Sequence, residues 1–160
     1  MAIVFTTNRL TLQPLQLKDA SFIQTLVNTV GWLQFIGDRH IHNIEAAEQY
    51  INKILANQAI TYWAVTLIDQ PTTIGLITLI KRTYLDNKDI GFAFLPQFEK
   101  QGYAFEAASV VLQHCKLKLP IIHATTLADN ISSIKLLKKL GFLFTKTIEV
   151  AGESLQVYSC

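Results

Sequence analysis

The chain has 160 residues, 50% hydrophobic and 16% charged, with a net charge of +2. That length suits one core and is short for two, the apolar content excludes a disordered chain, and the net charge is too small by itself to imply the basic field of a nucleic-acid binder. No apolar run approaches the about 18 residues of a membrane span, and Met1–Thr7 lacks the basic region of a signal peptide. The expectation is one compact soluble domain over 1–160, cytoplasmic, with neither a membrane nor a nucleic-acid partner. Cys115 and Cys160 match no metal spacing, so reduced thiols and no metal site are expected. The sparse charge points weakly to an apolar patch for self-association, with a homodimer as the form favoured. Basic residues gather late, at Lys116, Lys118, Lys135, Lys138, Lys139 and Lys146, which leaves room for a local anion site.

Arg9–Leu15 alternates apolar and polar residues and predicts a first strand ending near Pro14. Ala20, Ile23, Leu26 and Val27 then recur at helical spacing, followed by a short helix or apolar loop at Trp32–Ile36. Asn43 has the chemistry of a helix N-cap, and the helix it opens places Ile44, Ala47, Ile51, Ile54 and Leu55 on one side. Thr61–Ile68 and Thr73–Lys81 are β-branched runs joined at Asp69-Gln70-Pro71, a hairpin signal. Asp89–Leu95 is a further strand stopped by Pro96.

A helix is predicted from Gly102 to Leu117, with the small and apolar stripe Ala104, Ala107, Ala108, Val111, Leu112 and Cys115. After Pro120 come a strand at Ile121–Leu127 and a helix capped by Asn130 and ended by Gly141. A last hairpin runs over Phe142–Val150 and Ser154–Ser159. This order predicts an α/β (α+β) fold: a mixed central β-sheet of six to seven strands with helices on both faces. Asp89–Leu127 is its parallel crossover unit.

The segment Gln97-Phe98-Glu99-Lys100-Gln101-Gly102-Tyr103-Ala104 joins a strand to a helix. The first-turn amides of such a helix lack internal partners and converge on one point, which suits a pyrophosphate. Gly102 removes a Cβ where an oxygen would approach, and Lys100 adds charge beside it. An ordinary strand-to-helix turn is the competing reading. The chain has neither G-x-x-x-x-G-K-[ST] nor G-x-G-x-x-G after the first strand, which sets aside nucleotide hydrolysis and dinucleotide redox chemistry.

The whole chain resembles the GNAT superfamily of acyl-CoA-dependent N-acetyltransferases, in particular the branch that acetylates ribosomal-protein alanines. Thr7-Asn8-Arg9-Leu10-Thr11-Leu12 is similar to that branch's opening strand, and Asp89-Ile90-Gly91-Phe92-Ala93-Phe94-Leu95 to the strand that usually carries a bulge. Gln97-x-x-Lys100-x-Gly102-Tyr103-Ala104 is similar to the cofactor loop Q/R-x-x-G-x-G/A. Asn130-x-x-Ser133 through Gly141-Phe142 is similar to the closing segment. The chain departs from the family twice. Lys100 stands at the loop's first glycine, and Leu137 stands where many relatives place the tyrosine that protonates the thiolate.

The resemblance implies acetyl transfer from acetyl-CoA to a primary amine, on a protein N-terminus or a small molecule. Asp89 is the candidate base, directly or through a water, against the alternative of a solvated strand-end carboxylate beside Lys88. Backbone amides at Phe94 and Leu95, splayed or bulged, are candidates for pantetheine and the thioester carbonyl. Gln97, Lys100, Gln101, Gly102, Tyr103 and Ala104 form the phosphate loop. Asn130 either bonds pantetheine or only caps its helix. Ser133 either donates a proton or hydrogen bond to the departing sulfur or only joins the cap, and water is the fallback donor. Trp32, Phe35, Tyr62 and Trp63 are aromatic candidates for an acceptor groove, or core. His40 and His42 lack a third metal ligand nearby, His114 and His123 read as structural, and Tyr158 could reach a substrate. The rival functions are a non-catalytic acyl-CoA-binding or regulatory module and an interaction domain without cofactor.

Overall fold

A computed structural model describes residues 3–160. Its strands are β1 (Phe5–Thr6), β2 (Leu10–Pro14), β3 (Ile60–Leu67), β4 (Thr73–Ile80), β5 (Asp89–Phe94), β6 (His123–Thr126), β7 (Leu143–Val150) and β8 (Glu153–Ser159). Its helices are α1 (Ala20–Val27), α2 (Val30–Phe35), α3 (Ile44–Leu55), α4 (Tyr103–Lys116) and α5 (Ile131–Lys139). The strands form one mixed sheet in the order β1-β2-β3-β4-β5-β6-β8-β7, with only β5 and β6 parallel. The eight strands exceed the six to seven read from the sequence. The addition is β1, a two-residue pairing of Phe5 with Leu12 and Thr6 with Thr11, too short to alternate visibly.

Local chemistry sets the helix starts. The Asn43 side-chain oxygen accepts from the Ala46 amide at 2.7 Å to open α3, and that of Asn130 accepts from Ser133 at 3.2 Å to open α5. Alternation along the strands then divides the core between the two faces of the sheet. Leu12, Trp63, Val65, Ile90 and Phe94 pack with α4 and with Leu137 of α5. Leu15, Ala64, Leu76 and Leu95 pack with Ile23, Leu26, Ile51 and Ile54 from α1 and α3. Each fully buried side chain of this size contributes roughly 1.5–3 kcal/mol, so both helical layers are bound firmly to the sheet.

The strand expected to carry a bulge has none. β5 pairs with β4 without interruption from Asp89↔Ile80 to Phe94↔Gly75. Register shifts fall instead at Val65/Thr66 in β3 and at Phe144/Lys146 in β7. The opening lies on the other side of β5, where pairing with β6 is confined to Asp89↔His123. Beyond that pair the two parallel strands diverge, and the gap widens toward the start of α4.

Candidate active site

Backbone alternation decides which groups face this gap. The Leu95 amide donates to the Ile74 carbonyl at 2.9 Å, and the Phe98 amide donates to the Leu95 carbonyl at 2.9 Å. Leu95 therefore has no amide to offer a ligand, which corrects the expectation made for it. Amides one residue apart point to opposite sides of a strand, so those of Phe92 and Phe94 face β6, where the pairing has ended. Phe94 retains its role as a candidate donor, through splaying and not through a bulge.

At the wide end of the gap the chain turns through Pro96–Phe98 into the loop before α4. Gly102 is the N-cap of α4 at φ +83°, and no side chain caps the helix. The Glu106 amide already bonds the Gly102 carbonyl at 3.0 Å, which leaves the amides of Tyr103, Ala104 and Phe105 without intrahelical partners. Lys100 also lies in the left-handed region, at φ +60°. That conformation explains why a glycine suits this position, and the lysine adopts it with its side chain exposed. The Gln101 side chain folds back to donate to the Gln97 carbonyl at 2.9 Å, which tightens the turn.

Arg9, in the turn just before β2, holds this loop. Its Nε donates to Glu106 Oε2 at 2.7 Å, one Nη donates to the Gln101 carbonyl at 3.0 Å, and its guanidinium lies 4.3 Å from the Tyr103 ring centroid. Glu106 Oε1 accepts from the Thr7 hydroxyl at 2.6 Å and from the Arg9 amide at 3.0 Å. Sequence reasoning missed Arg9 as a site residue, because no spacing signal joins it to a loop some ninety residues away. A β-carbon at Gly102 would lie 3.3 Å from an Arg9 Nη. The loop is thus a cradle of uncapped amides with two cations, Lys100 and Arg9, beside it. This donor set fits a diphosphate.

At the narrow end Asp89 is buried, which corrects the picture of a solvated carboxylate beside Lys88. Its Oδ2 accepts from Arg82 Nε at 3.0 Å and from the Thr125 hydroxyl at 3.4 Å, and its Oδ1 accepts from the Thr125 amide at 3.2 Å. Burial pushes the Asp89 carboxyl above the usual carboxylate range, against the lowering pull of Arg82 and Thr125. The half-buried Tyr62 phenol is likewise pushed up, by desolvation first and then by Tyr50. Arg82 and Thr125 are further residues the sequence did not mark.

Asn130 caps α5 with its oxygen, and among the described hydrogen bonds its side-chain nitrogen has no partner. The Ser133 amide receives that cap, while its hydroxyl enters none of the described bonds. Leu137 is buried in the core beneath α5. Trp32 is buried among α1 and α3, and Trp63 is buried on the opposite face, where its Nε1 donates to the Ile3 carbonyl. The Tyr158 hydroxyl donates to Gln156 at 3.0 Å. His123 Nδ1 lies 2.7 Å from the Ser159 hydroxyl, and His114 packs edge-on to Phe5. Among the described residues, no three His, Cys, Asp or Glu side chains converge as metal ligands, and no helix is long and apolar enough to cross a membrane.

A mixed sheet splayed between two parallel strands, with an uncapped helix N-terminus at the wide end of the split, is the architecture of the acyl-CoA-dependent N-acetyltransferases. Residues 9–143 match the family described as the acetyltransferase (GNAT) domain, and the chain belongs to that family. It is 29% identical over 154 residues to the uncharacterized N-acetyltransferase YnaD of Bacillus subtilis, covering 92% of this chain and 89% of the relative. Its fold matches an acetyltransferase (GNAT family) from Bacillus anthracis with a TM-score of 0.82 at 23% identity, covering 99% of this chain and 98% of the other. It also matches RimL, a ribosomal L7/L12 α-N-protein acetyltransferase in complex with coenzyme A, with a TM-score of 0.83 at 13% identity over 99% and 97% of the two chains.

Proposed function

We propose that the protein acts in the cytoplasm as an N-acetyltransferase of the ribosomal-alanine type, moving the acetyl group of acetyl-CoA to a primary amine on a protein N-terminus or a small molecule. The observation that carries this reading is the uncapped α4 terminus at the wide end of the β5–β6 split, with Gly102 at φ +83° and the Phe94 amide facing the gap. Acetyl-CoA supplies an activated acyl group as a thioester. The amides of Tyr103, Ala104 and Phe105, with Lys100 and the Gln97–Gln101 turn, hold its diphosphate. The Phe94 amide and the free Asn130 nitrogen serve the pantetheine arm, and an amide facing the split stabilises charge developing on the carbonyl oxygen.

Attack requires a neutral amine, and an α-amine of pKa about 8 loses its proton more readily than a lysine at about 10.4. Asp89 accepts that proton, directly or through a water, and its raised pKa makes it a stronger base than an exposed aspartate. The Ser133 hydroxyl, uncommitted to the cap, hydrogen-bonds the departing sulfur, with water as the proton source if it is removed. Incubation with acetyl-CoA and a panel of amines tests the reading. Amine-dependent thiol release is expected. Saturable coenzyme A binding without turnover would identify a binding module instead, the reading that Lys100 in the loop and Leu137 at the tyrosine position favour.

A further inference from the structure

Between the segment after α2 and one face of α3 lies a concavity of about 200 Å³, lined by Arg39, His40, Gln49, Tyr50 and Lys53 among others. Gln49, Tyr50 and Lys53 share a side of α3 because they recur at helical spacing. No carboxylate lines the concavity. The adjacent Asp38 is engaged by His40, accepting from its amide at 2.7 Å and lying 3.3 Å from its Nδ1. Arg39 is exposed, with one Nη donating to the Gly37 carbonyl at 3.3 Å and its guanidinium 5.8 Å from the Trp32 ring, so its other donors are open to a ligand.

Tyr50 connects this concavity to the reaction centre. It packs in the same cluster as Tyr62 and Ala93, on the sheet face toward α1 and α3. Tyr62 pairs with Thr78, and Thr78 pairs with Gly91, two residues beyond Asp89 in β5. A β-carbon at Gly91 would meet the Thr78 hydroxyl at 2.6 Å, so this row stays low between Tyr62 and the open edge. Arg82, which bonds Asp89 only through Nε among the described bonds, acts on the same Tyr62 phenol as Arg39. Tyr50 and Tyr62 thus share the sheet face of Gly91 and Asp89, with Arg39 in the concavity beside Tyr50 and Arg82 bonded to Asp89.

We infer that the acceptor is a primary amine that also carries a carboxylate, with the carboxylate held by Arg39 and Lys53 and the amine directed past Tyr50 and Tyr62 toward Asp89. This rests on the acetyl-transfer reading above and adds the charge class of the substrate. A planar carboxylate gains charge-assisted hydrogen bonds from a guanidinium, whereas a diamine meets like charge at Arg39 and Lys53. The volume lies below the about 300–1,000 Å³ of pockets for drug-sized ligands and suits a small molecule or the end of a side chain.

The test uses ω-amino acids from glycine to 6-aminohexanoate, each paired with its carboxamide, plus the diamine of matching length. Binding is measured by calorimetry with coenzyme A present, and thiol release with acetyl-CoA. At least one amino acid is expected to bind tenfold or more tightly than its amide at low salt. That ratio should shrink in 0.5 M salt and fall at least threefold in Arg39→Gln and in Lys53→Gln. Peptides with acidic or amidated residues near the N-terminus form a second arm. A preference confined to peptides places the carboxylate on a protein N-terminus, and one confined to amino acids places it on a small molecule. Amides or diamines binding as well as the acids in both arms, or an unchanged ratio in both variants, overturns the inference. Turnover without charge preference defeats this inference alone, and charge preference in binding without thiol release from any amine defeats the acetyl-transfer reading alone.

Discussion

Arg9 and Glu106 lie 97 residues apart in the chain and meet at 2.7 Å beneath the loop that opens α4. The turn between β1 and β2 and the first turn of α4 thereby behave as one unit, with Gln101 and Tyr103 resting on the Arg9 guanidinium. Arg9→Ala removes the cation, the support of the Gln101 carbonyl and the stacking partner of Tyr103 together. Hydrogen bonds to charged groups contribute about 1.5–3 kcal/mol. The expected result is roughly a tenfold or greater loss of coenzyme A affinity by calorimetry, with kcat at saturating acetyl-CoA changed much less. Unaltered affinity with a lowered Tm would assign Arg9 to stability alone.

The same pair gives the fold an acid-sensitive joint. Burial raises the Glu106 carboxyl, but the Thr7 hydroxyl, the Arg9 side chain and the Arg9 amide outweigh it, and the group ends below the ordinary glutamate value. A carboxyl depressed in the folded state stabilises it fully above the unfolded pKa of about 4.3, and that contribution disappears as pH falls through the folded value. Glu106→Gln should therefore be less stable than the wild type at pH 7, with the difference closing toward pH 3. Urea unfolding at the two pH values measures this. An equal difference at both would mean that the charge of Glu106 plays no part.

Lys100 and Gly102 both occupy left-handed backbone, at φ +60° and +83°, but only one is a glycine. A non-glycine residue there costs roughly 1–2 kcal/mol, so Lys100→Gly should raise Tm by a few degrees even though glycine loses more freedom on folding. The same change removes a cation from the cradle, and the salt dependence of coenzyme A binding should weaken. Gly102→Glu works in the opposite sense. It adds strain, a β-carbon near Arg9 and a negative charge among the amides, and coenzyme A binding should be lost. Retained affinity in that variant would move the phosphates elsewhere.

Much of this was legible in the sequence, because strand alternation and helix caps are local signals. Asn43 and Asn130 marked two helix starts, and Pro96 and Gly102 bracketed the loop. What the chain did not disclose depends on long-range pairing. Asp89 read equally as a base and as an exposed strand end until β6 came alongside and Thr125 closed over it. Leu95 looked available until β4 took its amide. Arg9, Arg82 and Arg39 are ordinary surface cations by composition, and only the fold sets each against its partner.

Gly75 pairs with Phe94 across β4 and β5, and a β-carbon there would run into the Phe94 ring. Phe94 is buried beneath α4 and carries an amide that faces the split. Gly75→Ala must displace the ring in a packed core, at a cost of about 1–3 kcal/mol. The displacement reaches the backbone at the proposed pantetheine contact. The expected outcome is a lower Tm together with a raised KM for acetyl-CoA. A lower Tm with KM unchanged would separate Phe94 from cofactor binding.

Asp89 offers the sharpest separation of chemistry from scaffolding. Burial raises its carboxyl, against Arg82 and Thr125, so the acid limb of kcat/KM should lie above the about 3.9 of an ordinary aspartate. Activity falls as pH drops through that raised value, because a protonated Asp89 accepts nothing from the amine. Asp89→Asn should lower kcat by about 10²–10³-fold, leave coenzyme A affinity within about twofold, and abolish the Asp89 limb. The substitution also leaves Arg82 facing a neutral amide in a half-buried setting, so a fall in Tm is expected and by itself says nothing about proton transfer. The pH profile does. If the variant keeps the wild-type acid limb, the proton leaves the amine by another route, and the Arg82–Asp89 pair is a strut between β5 and β6.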